Sequence, residues 1–259
     1  MNIFALIKQV PNTETTIKLM ADSSGIEKND IKWIVNPYDE FAIEEALKTK
    51  EKFKEGTVTV VTVGPDRVIE ALRTALAMGA DNAIHIKTDA DVSDTYLVGR
   101  ALAECLKKEN ATLAFTGKQA IDDDQAATFG YVAEFLDWPS ASVLVKCDIA
   151  ADKQSVKVER EVEGGTKHVI EMPLPALLAL NKGVNNPRYP SLPGIMKAKK
   201  KEIKTYNLND LGLAGETATV KESGYKLPPE RSAGKKIAGD AAAQAKELVR
   251  LLREEAKVI

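Results

Sequence analysis

The sequence is poor in the residues that usually do chemistry. Of its 259 residues only two are cysteine, Cys105 and Cys147, and only two are histidine. The cysteines stand far apart among apolar neighbours, with no CxxC or metal-ligand spacing. That excludes a disulfide framework and a zinc site and predicts buried, reduced thiols. His85 lies within "AIHIK" and His168 within another alternating run, so each is expected to be structural or at the surface rather than an acid or base. Trp33 and Trp138 are expected to pack rather than to stack on bases. There is no GxSxG, no Walker loop, no HExxH and no GxGxxG after a first strand, so no catalytic residue and no metal ligand is nominated. No apolar run approaches a membrane span, and "MNIFALIKQV" is too short for a secretory signal. No membrane insertion is expected, and the expected compartment is cytoplasmic. Neither charge dominates: 36 Lys and Arg against 38 Asp and Glu leave a formal net charge of −2, which gives no global reason to expect nucleic acid.

What is present is a large apolar share, 44% of residues, enough to bury a sizeable core. Short β-rich runs, "IFALIK", "TVTVVTV", "AIHIK" and "TLAFT", alternate with amphipathic stretches, the arithmetic of βαβ units. The first helix has Asn36 as N-cap, Pro37 at its first position and Asp39 and Glu40 in its positive first turn, and it ends before Gly56. The second buries Val68, Leu72, Ala75 and Leu76 and stops at Gly79; the third buries Val98, Ala101, Leu102, Cys105 and Leu106.

The grammar then changes. "SVKVEREVEGGTKHVIEM" reads as a hairpin turning at Gly164 and Gly165, and "PALLALN" as one more buried strand. Residues 205 to about 238 show little periodicity and read as an arm. "DAAAQAKELVRLLREEAKVI" closes as a helix with an apolar stripe of Ala241, Ala245, Leu248, Leu252 and Ala256, to be covered by a second subunit or by its own core.

The densest chemical signal is "GKQAIDDDQAATFGYVAEFLDWP". It follows "TLAFT", so Asp122 to Thr128 fall on a loop at the carboxyl end of a strand, the edge where open parallel sheets bind ligands. The next helix start offers free amides, Thr128 a hydroxyl and Gly130 close backbone approach, which together suit a phosphate. Asp122, Asp123 and Asp124 would repel an anion, so they face ribose hydroxyls or ordered amides, or they cap the helix. "VNPYDE" and "TVGPD" lie at the same edge, and three such loops would make a nucleotide crevice without a catalytic group, as in a carrier or scaffold.

A second signal is "RYPSLPGIMKAKKK". Pro190 and Pro193 hold Ser191 and Leu192 out of any helix, which puts an apolar residue on a loop beside a run of lysines. Two readings stand: a solvated loop beside a charged helix start, and a docking loop with an apolar anchor ringed by charge.

The segments "RTALAMGAD", "GKQAIDDD", "FLDWP", "VEREVEGG", "NNPRYPSLPGIMKAKKK" and "PPERSAGKK" resemble, in order and spacing, the β subunits of electron transfer flavoproteins. The resemblance implies a Rossmann-like α/β/α sandwich of the adenine-nucleotide-binding type over residues 1–204, with a recognition loop at 185–201. An arm at 205–238 and a C-terminal helix at 239–259 would pack on a larger α subunit. It implies a heterodimer with one FAD, held mostly by that subunit, and a structural AMP. Electrons would pass from dehydrogenases, such as acyl-CoA dehydrogenases, to a membrane quinone oxidoreductase. By the same resemblance the AMP shell comprises Leu6, Asn36, Pro37, Tyr38, Asp39, Val63, Asp122, Asp123, Asp124, Gln125, Ala126, Ala127, Thr128, Phe129, Gly130, Tyr131, Val132 and Ala133, and Tyr38 lies near the flavin. The family's other flavin-side aromatic falls at Thr13, and this chain has Phe129 before Gly130 where many relatives have glycine at once. Partner recognition falls to Tyr189, Pro190, Ser191, Leu192, Pro193, Gly194, Ile195, Met196, Lys197 and Lys200, with Leu192 at the tip. The rivals are a bifurcating form with a second FAD in place of AMP, and a non-redox nucleotide-binding scaffold. Bulky Phe129 and Tyr131 around Gly130 favour AMP over a dinucleotide.

Overall fold

The structure, a computed structural model, describes residues 1–229 and 233–259. Glu230, Arg231 and Ser232, within the expected arm and within "PPERSAGKK", lie outside the described residues. Two compact units result, Met1–Gly224 and Tyr225–Ile259.

The first unit begins with β1 (Asn2–Leu6), β2 (Gln9–Pro11), β3 (Trp33–Val35), α1 (Pro37–Phe53), β4 (Thr57–Gly64) and α2 (Ile69–Met78). It continues with β5 (Asn82–Lys87), α3 (Thr95–Lys108), β6 (Leu113–Gly117), α4 (Thr128–Leu136) and β7 (Ser140–Ile149). Then come β8 (Ser155–Glu161), β9 (Lys167–Pro173), β10 (Leu177–Leu180), α5 (Leu192–Lys200) and β11 (Lys204–Asn207). Nine strands form one sheet in the order β11-β5-β4-β1-β6-β10-β7-β8-β9, while β2 and β3 pair separately. Pairing is parallel from β11 to β7 and antiparallel through β8 and β9.

Alternation along each strand divides the core. Ile3, Ala5 and Ile7 face the layer of α1, α2 and α5, whereas Phe4 and Leu6 face α3 and α4. The product is a Rossmann-like α/β/α sandwich. β1 has β4 on one side and β6 on the other, so the winding reverses there, and the carboxyl ends of β1 and β6 flank the crevice such a reversal leaves. The glycine pair of the β8–β9 hairpin is left-handed, with Gly164 and Gly165 both at φ +75°, and all of β10 is buried.

The structure corrects several expectations. Leu192 is not held out of helix: it is the first residue of α5, with Pro193 in the first turn, where a missing N–H breaks no bond, and Ser191 capping by accepting from the Gly194 N–H at 3.1 Å. The stretch from 205 does not start without structure, since it opens inside β11, and Leu211 and Leu213 are buried in the α3 and α4 core. Of the thiols, Cys105 is buried and Cys147 half-buried, and they pack on opposite faces of the sheet. Burial pushes the Cys105 thiol up to about 12. His85, by contrast, is structural as expected: its ring Nε2–H donates to the Gly64 carbonyl at 2.7 Å within the sheet.

The second unit holds α6 (Ala241–Glu254), capped by Asp240, whose side chain accepts from the Ala243 N–H at 2.8 Å. No residue of α6 is buried, and Leu248 and Val249 are exposed. Among the described residues no helix is long and apolar enough to cross a membrane.

Candidate functional site

The crevice between β1 and β6 begins with what holds it open. Asp39, buried in the first turn of α1, accepts the Lys8 N–H at 2.8 Å and the Gly117 N–H at 2.9 Å, so one carboxylate ties the ends of β1 and β6. Burial pushes that carboxyl up to about 7 against the pull of the two amides. Gly117 permits the tie: a Cβ there would stand 2.5 Å from Asp39 Oδ1 and 2.6 Å from Tyr38 Cβ. Asn36 occupies the N-cap position of α1, but its side chain does not cap the helix. Its amide donates to the Gln119 carbonyl at 2.9 Å and accepts the Ile121 N–H at 3.2 Å, which pins the loop after β6.

That loop carries the three aspartates, and they do not cap α4, whose N-cap Ala127 has no side-chain partner. Asp122 and Asp123 both accept from Lys8 Nζ at 2.8 Å, and Asp124 accepts from Gln119 Nε2 at 2.7 Å. Burial alone would lower the Lys8 ammonium; the two carboxylates overcome it and raise the group above its ordinary value. Ala126 is left-handed at φ +52° and Ala127 right-handed at φ −97°, a succession that turns neighbouring N–H groups to one side as an anion-binding concavity. It runs into the start of α4, where the first amides have no carbonyl partner within the helix.

Leu6, Asn36, Asp39, Val63, Asp123, Gln125, Ala126, Ala127, Thr128 and Phe129 line one crevice of about 800 Å³, the open space at its mouth included. The structure does not bring Pro37, Tyr38, Asp122, Asp124, Gly130, Tyr131, Val132 or Ala133 to that lining. For the residues of α4 the reason is helical phase. Val132 and Ala133 point into the core under α3, and Tyr131 turns outward to meet Tyr96 edge-on at 5.6 Å. Of the two bulky residues expected around Gly130, only Phe129 faces the crevice, and a Cβ on Gly130 would meet nothing within 4 Å. Tyr38 is half-buried, with Lys118 Nζ 5.2 Å from its ring.

Sequence reasoning missed Ile7, Lys8, the end of β6 and the residues after it from Thr116 to Ala120, and the wall formed by Val92, Ser93, Thr95, Val98 and Leu102. "VSDT" follows β5 at the same sheet edge as the loops that were read, and that position was the available signal. Asp94 fixes this wall. It caps α3 through the Tyr96 N–H at 2.9 Å and also accepts the Thr219 N–H at 2.6 Å and the Thr219 hydroxyl at 2.8 Å. Burial would raise its carboxyl, and these donors hold it below the usual range.

The second candidate site lies elsewhere on the first unit. Tyr189, Leu192 and Met196 are 94%, 79% and 69% exposed, an apolar cluster at the start of α5. Ile195 joins them, Lys197 and Lys200 flank them in solvent, and Gly194 sits where a Cβ would meet the Ala77 carbonyl at 2.4 Å. The base is strapped down: Arg188 spans Glu44 (Nε to Oε2, 2.8 Å) and Glu51 (Nη1 to Oε1, 2.6 Å) on α1, and Lys201 Nζ donates to the Ala80 carbonyl at 2.7 Å. Arg73 donates to the carbonyls of Ala198 and Lys201.

Fold and site together define a doubly wound α/β protein with a crevice at its switch point and a rigidly mounted apolar projection. Comparison with known proteins narrows this. The family model for the electron transfer flavoprotein domain matches residues 24–211. An electron transfer flavoprotein subunit beta from Bacillus subtilis is 44% identical over the full length of both chains. Those from Mus musculus and Homo sapiens are 40% and 38% identical, over 95% and 97% of this chain and 96% and 99% of their own. The chain belongs to the electron transfer flavoprotein family, among its β subunits. It is thus a subunit of an electron carrier that pairs with an α subunit.

Proposed function

We propose that this chain holds AMP in the crevice between β1 and β6 and completes, with the α subunit, a carrier of one FAD. The carrier accepts electrons from dehydrogenases, including acyl-CoA dehydrogenases, and delivers them to a membrane quinone oxidoreductase, within a cytoplasmic setting. The observation that carries the nucleotide reading is that the left-handed turn at Ala126 and the start of α4 at Thr128 line the crevice, at the edge where open α/β sheets take phosphates. Leu6, Val63, Val98, Leu102 and Phe129 supply an apolar slot fit for a base.

FAD, when bound to the complex, supplies the redox chemistry. This chain's residues bind and orient. Tyr38 is the aromatic proposed nearest the flavin, and α6 offers its uncovered apolar stripe to the α subunit. Leu192, with Tyr189 and Met196, is the anchor that enters a dehydrogenase, and Lys197 and Lys200 meet its carboxylates.

The test is the nucleotide content of the co-purified heterodimer after acid extraction and chromatography. One FAD and one AMP per complex supports this reading. Two FAD and no AMP would replace it with the bifurcating form, and no flavin at all with a scaffold.

A further inference from the structure

Asp123 lines the crevice, with Asp122 and Asp124 beside it in the chain, while the left-handed turn at Ala126 and the start of α4 on the same lining suit an anion, two features that oppose each other. The loop cannot relieve the conflict by swinging outward, because Asn36 holds it at Gln119 and Ile121. Lys8 relieves it instead. Its N–H is fixed by Asp39, and its ammonium sits 2.8 Å from both Asp122 and Asp123, with Lys8 and Asp123 both on the crevice lining. The other lysine on that lining, Lys118, lies over the Tyr38 ring.

We propose that Lys8 sets the charge selectivity of the crevice: as an internal counter-ion to Asp122 and Asp123, it lets the crevice hold a phosphate-bearing nucleotide in preference to the uncharged nucleoside. This rests on the nucleotide reading above and adds the residue that decides between ligands sharing one base. The crevice mixes apolar and polar walls and the Asp122 and Asp123 side chains are largely shielded from solvent, so a carboxylate stripped of its partner there repels a phosphate dianion more than it would in water. A neutral ligand feels little of this.

The experiment titrates AMP and adenosine separately into nucleotide-stripped heterodimer by equilibrium dialysis, for the native complex and for Lys8→Met, Lys8→Arg and Asp122→Asn/Asp123→Asn. Lys8→Met is expected to weaken AMP at least tenfold and leave adenosine within about twofold. Lys8→Arg should keep the native preference, and the double asparagine variant should bind AMP at least as tightly as the native complex. Equal weakening of both ligands would show that Lys8 only shapes the crevice, and an unchanged AMP affinity would show that it does nothing to selectivity; either overturns the proposal. If Lys8→Met does not assemble, the double asparagine variant decides: weaker AMP binding there refutes the counter-ion role. A native complex that binds neither ligand removes the nucleotide reading and this proposal with it, whereas one that binds both equally well removes this proposal alone.

Discussion

Gly117→Ala attacks the tie on which the crevice depends. The new methyl would lie 2.5 Å from Asp39 Oδ1, 2.6 Å from Tyr38 Cβ and 2.7 Å from the Tyr38 carbonyl carbon. The last is backbone in the first turn of α1 and cannot be cleared by a rotamer change, so the end of β6 and the start of α1 must separate. Such overpacking costs about 1–3 kcal/mol. Separation also stretches the 2.9 Å bond from the Gly117 N–H to Asp39, a bond to a buried carboxyl that contributes about 1.5–3 kcal/mol. The sum, roughly 2.5–6 kcal/mol, is a large part of the 5–15 kcal/mol that typically holds a domain together. Urea unfolding should show a lower midpoint at unchanged slope, and the assembled heterodimer should lose bound nucleotide. A loss under about 1 kcal/mol with full nucleotide content would refute the reasoning, because it would mean that Asp39 yields without consequence.

Asp39 itself predicts a pH dependence. Its carboxyl titrates near 7 in the fold and near 3.8 when unfolded, so the folded state binds the extra proton and stability falls as pH rises from about 4 to about 7, by on the order of 4 kcal/mol at most. Asp39→Asn should flatten that part of the profile, and an unchanged slope would count against burial as the cause. Leu192→Ala should leave the melting temperature nearly unchanged, because the side chain is 79% exposed, while slowing reduction by the partner dehydrogenase; a loss of about 2–5 kcal/mol would mark it as core. Arg188→Ala should cost about 1–3 kcal/mol by stranding the buried Glu44 carboxylate, seen as a lower urea midpoint. Truncation after Gly224, which spares β11 and the buried Leu213, should leave the first unit folded but abolish the heterodimer peak in size-exclusion chromatography.

The sequence by itself determined the elements whose signals are local. The alternating strands β1, β4, β5 and β6, the helix starts and stops at Pro37 and Gly79, and the glycine turn between β8 and β9 all follow from period, capping and backbone freedom within a few residues. The loop after β6 was legible as a binding edge for the same reason. The short strands β2, β3 and β11 were not, since three or four residues carry too little pattern and gain their pairing from neighbours distant in the chain. Nor was β7, whose inward and outward faces are interrupted by a register shift against β10. Tertiary structure alone decided the work of single side chains. Asn36 pins a loop instead of capping its helix, Asp122 and Asp123 meet Lys8 instead of α4, and Tyr131 turns out of the crevice that Phe129 enters. In each case a polar or aromatic group had several partners within its chemical reach, and only the packing of β1 beside β6 fixed which one stood at bonding distance.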